Sequence, residues 1–195
     1  MPLSGNMTVN DDKTKNYSIN AVKEINGGKV LGSLHVQGYR DSVDPTRINA
    51  PPYNVANASL GIANNDGHSV NISGQHIPNF GNRVMTSANA NILKTDNHQL
   101  DVNAFSATTI PKSIPNFQTH GVGMDYAFKD KFGANASVSH TPAFQATDYS
   151  IGGKMNLHQT PNSSLNLNVG ANRQDTAFGR GDWNKNAFIE FKKSF

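Results

Sequence analysis

One segment of this chain occurs twice, and this repeat limits the folds that are open to it. Residues 58–80, ASLGIANNDGHSVNISGQHIPNF, align without a gap with residues 122–144, VGMDYAFKDKFGANASVSHTPAF, at a constant offset of 64. The alignment continues to Leu157, after which the second copy gains one residue before Leu165. Such a repeat is typical of a scaffold built from similar units rather than of a single catalytic pocket.

Within the repeats, apolar residues alternate with small or polar ones. The run LNLNV at 165–169 places two leucines and a valine on one face and two asparagines on the other. VGMDYAF at 122–128 and FGANASVSH at 132–140 follow the same period. A period of two predicts antiparallel strands with one face buried, because successive side chains point to opposite faces. We expect about eleven strands of roughly nine residues, joined as an up-and-down meander.

Turn residues separate these runs. NGG at 26–28 and NNDG at 64–67 predict hairpin turns, since Gly, Asn and Asp tolerate the positive φ angles that tight turns require. Two longer stretches, 44–54 and 107–119, contain prolines. Because proline cannot donate a hydrogen bond within a central strand, we expect both stretches to be loops.

The last residues suggest how the sheet ends. A third, truncated copy of the repeat places Ile189 and Phe191 where the second copy has Met124 and Tyr126. Because an exposed sheet edge is a template for aggregation, we expect this final strand to pair with the opening strand. The predicted fold class is all-β: an antiparallel up-and-down meander, closed or nearly closed into a barrel and built from two similar units.

The repeat also divides the chain into regions. An N-terminal segment covers residues 1–50, and two repeat units cover residues 51–119 and 120–195. The three regions can also fold as one domain, because a chain of 195 residues is long enough to bury a core.

Composition excludes several classes of function. A formal net charge of +3 is too small for a nucleic-acid-binding protein, which needs dense clusters of Lys and Arg. The chain has no cysteine, which excludes disulfides, thiol catalysis and cysteine-based metal sites. No apolar run approaches the ~18 residues of a transmembrane helix.

No catalytic or metal-binding pattern is present in the sequence. The histidines form neither an HxH nor an HExxH motif, and His76 and His140 are repeat equivalents, which favours a shared role in an HxPxF turn. A GxSxG motif, a phosphate-binding glycine loop and a pair of neighbouring catalytic carboxylates are also missing. We therefore expect no enzyme activity, no catalytic residue, no bound metal and no cofactor. The seven histidines are His35, His68, His76, His98, His120, His140 and His158.

Seven segments, taken in order, resemble the attacin family, the glycine-rich antibacterial proteins of insect immunity. Together they cover nearly everything from about residue 20 to the end, with family-like spacing. Two features depart from the family: glycine is only moderately enriched, at 17 residues, and neither a signal peptide nor a dibasic pro-segment is visible. The segments are NGGKVLGSLHVQG at 26–38, LGIANNDGHSVNIS at 60–73, HIPNFG at 76–81, DNHQLDVNAF at 96–105, PNFQTHGVGMDYAFKDKFGANA at 115–136, DYSIGGKMNL at 148–157 and DTAFGRGDW at 175–183.

The resemblance implies a secreted haemolymph protein that acts on Gram-negative bacteria. It implies binding to the outer envelope and lipopolysaccharide, disturbed production of outer-membrane proteins and a more permeable outer membrane, without enzymatic turnover. The attacin architecture, an N-terminal segment followed by two related glycine-rich domains, matches the duplication. If the chain is exported, its signal peptide is absent from this sequence, because MPLSGNMTVNDD is too polar to be one.

Basic residues near the C-terminus are the candidate contacts for lipopolysaccharide phosphates. Their charge attracts an anionic surface, so binding is expected to weaken as the salt concentration rises. The sequence does not determine the oligomeric state. The five candidates are Arg173, Arg180, Lys185, Lys192 and Lys193.

Two other functions remain open. Alternating strands, tight turns and the terminal Phe195 are also typical of an outer-membrane β-barrel that spans the bilayer. The many Ala and Gly residues on the apolar face and an aromatic content of 8% argue against this alternative. A sugar-binding, lectin-like module is the third hypothesis, suggested only by the Asn and Ser residues on the polar face of the strands.

Overall fold

The computed structural model describes residues 2–41, 51–129, 131–160 and 162–193. Within these ranges the chain forms thirteen antiparallel strands and one short 3-10 turn at Pro142–Phe144, which confirms the all-β prediction. The strands are β1 (Leu3–Val9), β2 (Lys15–Ile25), β3 (Gly28–Tyr39), β4 (Val55–Asn64), β5 (Ser69–Ile77), β6 (Gly81–Lys94), β7 (His98–Pro111), β8 (Phe117–Phe128), β9 (Phe132–Thr141), β10 (Ala146–Thr160), β11 (Ser163–Thr176), β12 (Gly179–Arg180) and β13 (Asn184–Lys193).

The strands pair in sequence order, which confirms the predicted meander. Neighbours along the chain are hydrogen-bonded from β1 to β12, and β13 pairs with β11 so that Ile189 lies opposite Leu167. The path of paired strands is therefore open in the described part of the chain. The predicted pairing of the final strand with the opening strand is not among the ladders of the described residues, and closure into a barrel stays a prediction.

The described chain forms two compact units. Unit 1 contains residues 1–88 and 106–117, and unit 2 contains residues 89–105 and 118–195. Strands β6 and β7 each contribute residues to both units. The division at residues 50 and 119 that the repeat suggested concerns the sequence alone and stays a prediction.

The two expected hairpin turns lie where the sequence placed them. Gly27 and Gly67 have φ angles of 78° and 92°, which L-residues rarely adopt. The Asn64 side-chain oxygen accepts hydrogen bonds from the backbone N–H groups of Asp66 at 3.1 Å and His68 at 2.8 Å. Asn64 therefore closes its turn by the local side-chain pairing that favours this residue type in turns.

The predicted loop at 107–119 is wrong over most of its length. Strand β7 continues to Pro111 and β8 begins at Phe117, and Ala107 and Thr109 are buried within β7. A proline at the last position of a strand ends the ladder without breaking it, because no donor is required beyond that point. Most of the other predicted loop, 44–54, lies outside the described residues.

A β-bulge marks the one-residue insertion of the repeat. The register of β10 against β11 shifts between Asn156 and His158, at the place where the second copy is one residue longer than the first. An extra residue in one strand is accommodated as a bulge and reverses the faces of the residues that follow it. Beyond the bulge, Gln159 lies opposite Ser164.

The apolar strand faces are exposed in both units, contrary to the prediction that they are buried. In unit 1 the paired residues Leu60 and Ile72 are 56% and 50% exposed. The hydrophobic residue that is buried in the described chain is Ala107, and the buried polar residues are Thr14, Thr109, Thr141 and Asn166. We call the following sets the apolar faces: Leu3, Met7, Val9, Ile19, Leu34, Leu60, Ile62, Val70 and Ile72 in unit 1, and Val122, Met124, Phe132, Ile151, Met155, Val169, Ile189 and Phe191 in unit 2.

Candidate functional site

A basic cleft lies on the opposite, polar face of unit 2. Its volume is about 390 Å³, within the size range of small-molecule sites in proteins. Four lysines line it together with amide and hydroxyl side chains, and none of its described lining residues is acidic. We call it the lysine cleft; it is lined by Ala127, Lys129, Lys131, Phe132, Gly133, Lys154, Asn156, Gln159, Ser164, Asn166 and Lys192.

Two of the lysines flank the turn between β8 and β9. Lys129 has a φ of 47°, and its backbone N–H donates to the carbonyl of Asn97 at 2.7 Å. On the other side of the turn, the Asn156 N–H donates to the Lys131 carbonyl at 2.7 Å. These bonds attach the turn to its neighbours, so the position of both lysine backbones is set by the fold.

Strands supply the rest of the cleft. Lys154 lies on β10 and Lys192 on β13, on the same face as the buried Asn166 of β11. The Asn156 amide donates to the side-chain oxygen of Gln159 at 2.6 Å. The bulge at the end of β10 is what turns Gln159 toward this face.

The cleft carries an excess of positive charge. Among the described residues, Lys192 forms an ion pair with Glu190 at 3.0 Å, and the Lys129 ammonium lies 5.7 Å from the centre of the Phe128 ring. Asp130 lies outside the described residues. Several lysines that line one small opening attract an anion, and phosphate is the anion that lysine commonly binds in proteins.

A second cleft of about 410 Å³ adjoins the first and shares Lys154 with it. Its acidic residues are engaged by amides: Asp101 accepts from Asn91 at 2.9 Å and from Gln99 at 2.6 Å, and Asp125 accepts from an asparagine amide at 3.1 Å. Burial raises the pKa of Asp101, but hydrogen bonds to its carboxylate outweigh this, and its pKa lies below the usual value. These carboxylates are therefore held by neighbouring side chains.

Arg173, one of the five predicted contacts, is largely enclosed by its neighbours. Its guanidinium pairs with Asp175 at 3.0 Å and lies 4.6 Å and 5.1 Å from the ring centres of Tyr149 and Trp183. Its side chain is 10% exposed, and its Nε has no hydrogen-bond partner in the described chain. The charge of Arg173 thus already serves contacts within unit 2.

The other predicted contacts are spread along two strands. Arg180 of β12 lies opposite Asp175, Lys185 of β13 lies opposite Ala171 in the row of apolar-face residues, and Lys193 lies beside the start of β11. Of the five, the structure places Lys192 in the lysine cleft. Lipopolysaccharide binding by these five residues stays a prediction.

Three cleft lysines were missed because they are far from the C-terminal cluster, yet the repeat carried a signal for them. Lys129, Lys131 and Lys154 align at the offset of 64 with uncharged residues of the first copy. Because the first copy has the same strand plan without these lysines, the plan does not require their charge. The first-copy counterparts are Asn65, Gly67 and Ala90.

Unit 1 has a cleft of another composition on its polar face. It measures about 330 Å³ and is lined mainly by hydroxyl and amide side chains with the single cation Arg83. The hydroxyls of Ser33 and Ser59 lie 2.7 Å apart across β3 and β4. This cleft offers hydrogen bonds but little charge.

The repeat-equivalent histidines are the penultimate residues of β5 and β9, just before the prolines of their HxPxF segments. The Nδ1 of His76 lies 2.6 Å from the Asn82 side-chain oxygen, and that of His140 lies 2.8 Å from the Thr147 hydroxyl. Across the ranges that the structure describes, no group of three or more His, Cys, Asp or Glu residues is placed to hold a metal ion.

The same ranges contain no helix that is long and apolar enough to cross a membrane.

Comparison with known proteins assigns the family. The family model described as "Attacin, C-terminal region" matches residues 78–195. The chain is 36% identical to Attacin of Bombyx mori over 195 residues, which covers 98% of this chain and 87% of the relative. It is 37% identical to Defense protein 3 of Lonomia obliqua and 35% identical to Attacin-B of Hyalophora cecropia, each over 98% of this chain and 79% and 80% of the relatives. No solved structure matches the chain. The chain therefore belongs to the attacin family of insect antibacterial defence proteins.

Proposed function

We propose that this attacin is secreted and acts on the outer envelope of Gram-negative bacteria, where it binds lipopolysaccharide and disturbs the outer membrane without catalysing a reaction. The observation that carries this proposal is the pair of exposed apolar faces. Ile151 and Ile189 of unit 2 are 51% and 64% exposed, although apolar side chains at strand positions are normally covered in a soluble protein. Contiguous exposed apolar surface is typical of a lipid- or partner-binding region.

Lipopolysaccharide matches both properties of the surface. Its acyl chains suit the apolar faces, and its phosphorylated sugars suit a polar face with amides, hydroxyls and lysines. The membership of the chain in an antibacterial family directs the choice among lipid partners toward a bacterial one.

The test is binding to vesicles of two compositions. The chain is expected to bind vesicles that contain lipopolysaccharide more tightly than phosphatidylcholine vesicles, with an affinity that falls as salt rises. It is also expected to increase the uptake of an apolar dye that intact outer membranes exclude. Equal affinity for the two vesicle types, together with unchanged dye uptake, would overturn the proposal.

Insertion into the bilayer, as in outer-membrane proteins, is the second candidate function. The same exposed apolar faces favour it, because strands that span a membrane alternate apolar residues toward lipid with polar residues on the other side. The two functions differ in the behaviour of the purified chain. A chain that stays monomeric in water without detergent supports surface binding, whereas a requirement for detergent supports insertion.

A further inference from the structure

We propose that the lysine cleft of unit 2 is a binding site for phosphate monoester groups, and that the phosphates of the lipopolysaccharide lipid anchor are the groups it takes at the envelope. The second part rests on the function proposed above; the first part, phosphate binding by the cleft, does not.

The cleft collects its cations from four separate places in the chain. Lys129 and Lys131 come from the two sides of one turn, Lys154 from β10 and Lys192 from β13. Ladders that join β8, β9, β10, β11 and β13 bring these positions together. Such like charges repel one another when the cleft is empty, and an anion with two negative charges relieves that repulsion.

The surroundings of the lysines suit a phosphorylated sugar better than a simple ion. Asn156, Gln159 and Ser164 supply amide and hydroxyl groups beside the ammonium groups. These are the donors and acceptors that sugar hydroxyls need. A volume of about 390 Å³ is also larger than one phosphate requires.

The cleft opens on the polar side of the sheet, and Phe132 links it to the apolar face. Phe132 belongs to that face, where it pairs with Phe128 and Met155, and it also lines the cleft and is 41% exposed. A molecule that joins phosphate groups to acyl chains can therefore reach both faces of unit 2 around the strand end that carries Phe132. This shared residue favours a phosphorylated lipid over free phosphate as the ligand.

The described acidic residues near the cleft offset only part of its positive charge. Glu190 pairs with Lys192, whose side chain is 67% exposed. Asp101 and Asp125 line the adjoining cleft and accept hydrogen bonds from amide side chains. In the described chain, the ion pairs do not include Lys129, Lys131 or Lys154.

The experiment compares two charge-matched double variants of the full chain. Lys131→Gln with Lys154→Gln removes two cleft charges, and Lys23→Gln with Lys29→Gln removes two exposed charges from unit 1. Each protein is titrated with vesicles that contain diphosphorylated lipid A and with vesicles of the same lipid A after removal of its phosphates. A parallel titration uses inorganic phosphate alone, and circular dichroism checks that each variant keeps its strands.

The cleft variant is expected to lose about tenfold or more in affinity for diphosphorylated lipid A, whereas the unit 1 variant loses less than about twofold, since only the former removes a local cluster of charge. The difference between the two variants is expected to vanish on dephosphorylated lipid A. Replacement of the same two lysines by arginine is expected to keep most of the affinity.

Several outcomes separate the two proposals. Equal losses in the two double variants, or no loss in either, would overturn the cleft as a phosphate site while leaving lipopolysaccharide binding intact. A wild-type chain that binds inorganic phosphate but not lipid A, with phosphate binding abolished in the cleft variant, would support the cleft as a phosphate site and overturn the envelope function. A cleft variant that loses lipid A binding but keeps the wild-type affinity for inorganic phosphate would also overturn the cleft as a phosphate site.

Discussion

The two copies of the repeat, residues 58–80 and 122–144, share a strand plan and differ in charge. Both place apolar residues on an exposed face, and Leu60 of the first copy and Met124 of the second are 56% and 53% exposed. The turn of the first copy reads NNDG at 64–67, with a positive φ at Gly67, whereas the aligned residues of the second read FKDK at 128–131, with a positive φ at Lys129, the counterpart of Asn65. Properties that the copies share are those of the scaffold, and the lysines of the second copy are an addition to it.

The same contrast separates the polar faces of the two units. Unit 1 presents a cleft of hydroxyl and amide groups, in which the described cation is Arg83, and unit 2 presents a cleft with four lysines. We therefore expect lipid contact to involve both units and phosphate recognition to involve unit 2.

The largest expected difference between the units concerns stability. Arg173→Met removes a guanidinium that pairs with Asp175 and lies over two rings, and it leaves the partly buried carboxylate with the hydrogen bond from the Gly181 N–H but without its ion-pair partner. We expect a loss on the order of 2–3 kcal/mol in the free energy of unfolding, measured by urea denaturation. At the offset of 65 that follows the insertion, the counterpart in the first copy is the uncharged Thr108.

Arg83→Met in unit 1 is the matched control. Arg83 is exposed, so the same change is expected to alter the unfolding free energy by less than about 0.5 kcal/mol. Similar losses in the two variants would show that Arg173 is not a special anchor of unit 2.

The second prediction tests whether the apolar faces act alike. Leu60→Asn and Met124→Asn change repeat-equivalent, exposed positions. Each is expected to change stability by less than about 0.5 kcal/mol but to weaken binding to lipopolysaccharide vesicles about tenfold, because an apolar side chain no longer enters the lipid. Binding is measured by co-sedimentation with the vesicles.

Ser137→Asn on the polar face of β9 serves as the control and is expected to leave vesicle binding unchanged. If only one of the two apolar variants loses affinity, the units do not share the lipid-binding role.

The smallest expected effect concerns acid, with one carboxylate from each unit. Hydrogen bonds from the Thr14 hydroxyl and N–H lower the pKa of Asp12 in unit 1 below its usual value of 3.8. In unit 2, burial raises the pKa of Asp101, but hydrogen bonds from Asn91 and Gln99 outweigh the effect of burial. The pKa of Asp101 therefore also lies below its usual value. A carboxyl group whose pKa is lower in the folded state than in the unfolded state stabilises the protein at pH values above the unfolded-state pKa. This contribution is lost as the pH falls through the folded-state pKa.

Asp12→Asn and Asp101→Asn are therefore each expected to flatten the decrease of thermal stability below about pH 4, the range of the unperturbed carboxyl pKa. Scanning calorimetry between neutral and acidic pH measures this, with Asp11→Asn as the control for the loss of one negative charge. A decrease as steep as that of the wild type in either variant would contradict the stabilising role of that carboxylate.

Much of the fold could be predicted from residue patterns. The alternation in LNLNV at 165–169 is a local property of an extended strand, and turns such as NNDG at 64–67 depend on the φ preferences of a few neighbouring residues. The one-residue insertion after Leu157 could be recognised as well, and the structure shows it as a bulge. The loop expected at 107–119 was wrong because Pro111 limits the strand only at its own position.

The candidate site was harder to predict. The sequence drew attention to basic residues near the C-terminus, but Lys129 and Lys192 are 63 positions apart (192 − 129 = 63) and line one cleft through the pairing of five strands. Likewise, Arg173 looked like a surface cation until its contacts with Tyr149 and Trp183 were known. Long-range pairing of this kind leaves no periodic trace along the chain.

By itself, the sequence determined the strand pattern, the turns, the duplication and the attacin family, because each depends on residues close together in the chain or on direct alignment. Only the tertiary structure decided which strand face is covered and which lysines meet. A period of two assigns side chains to two faces, but burial depends on what packs against each face, and Leu60 and Met124 remain exposed. The cleft exists because distant strands place Lys131, Lys154 and Lys192 around one opening.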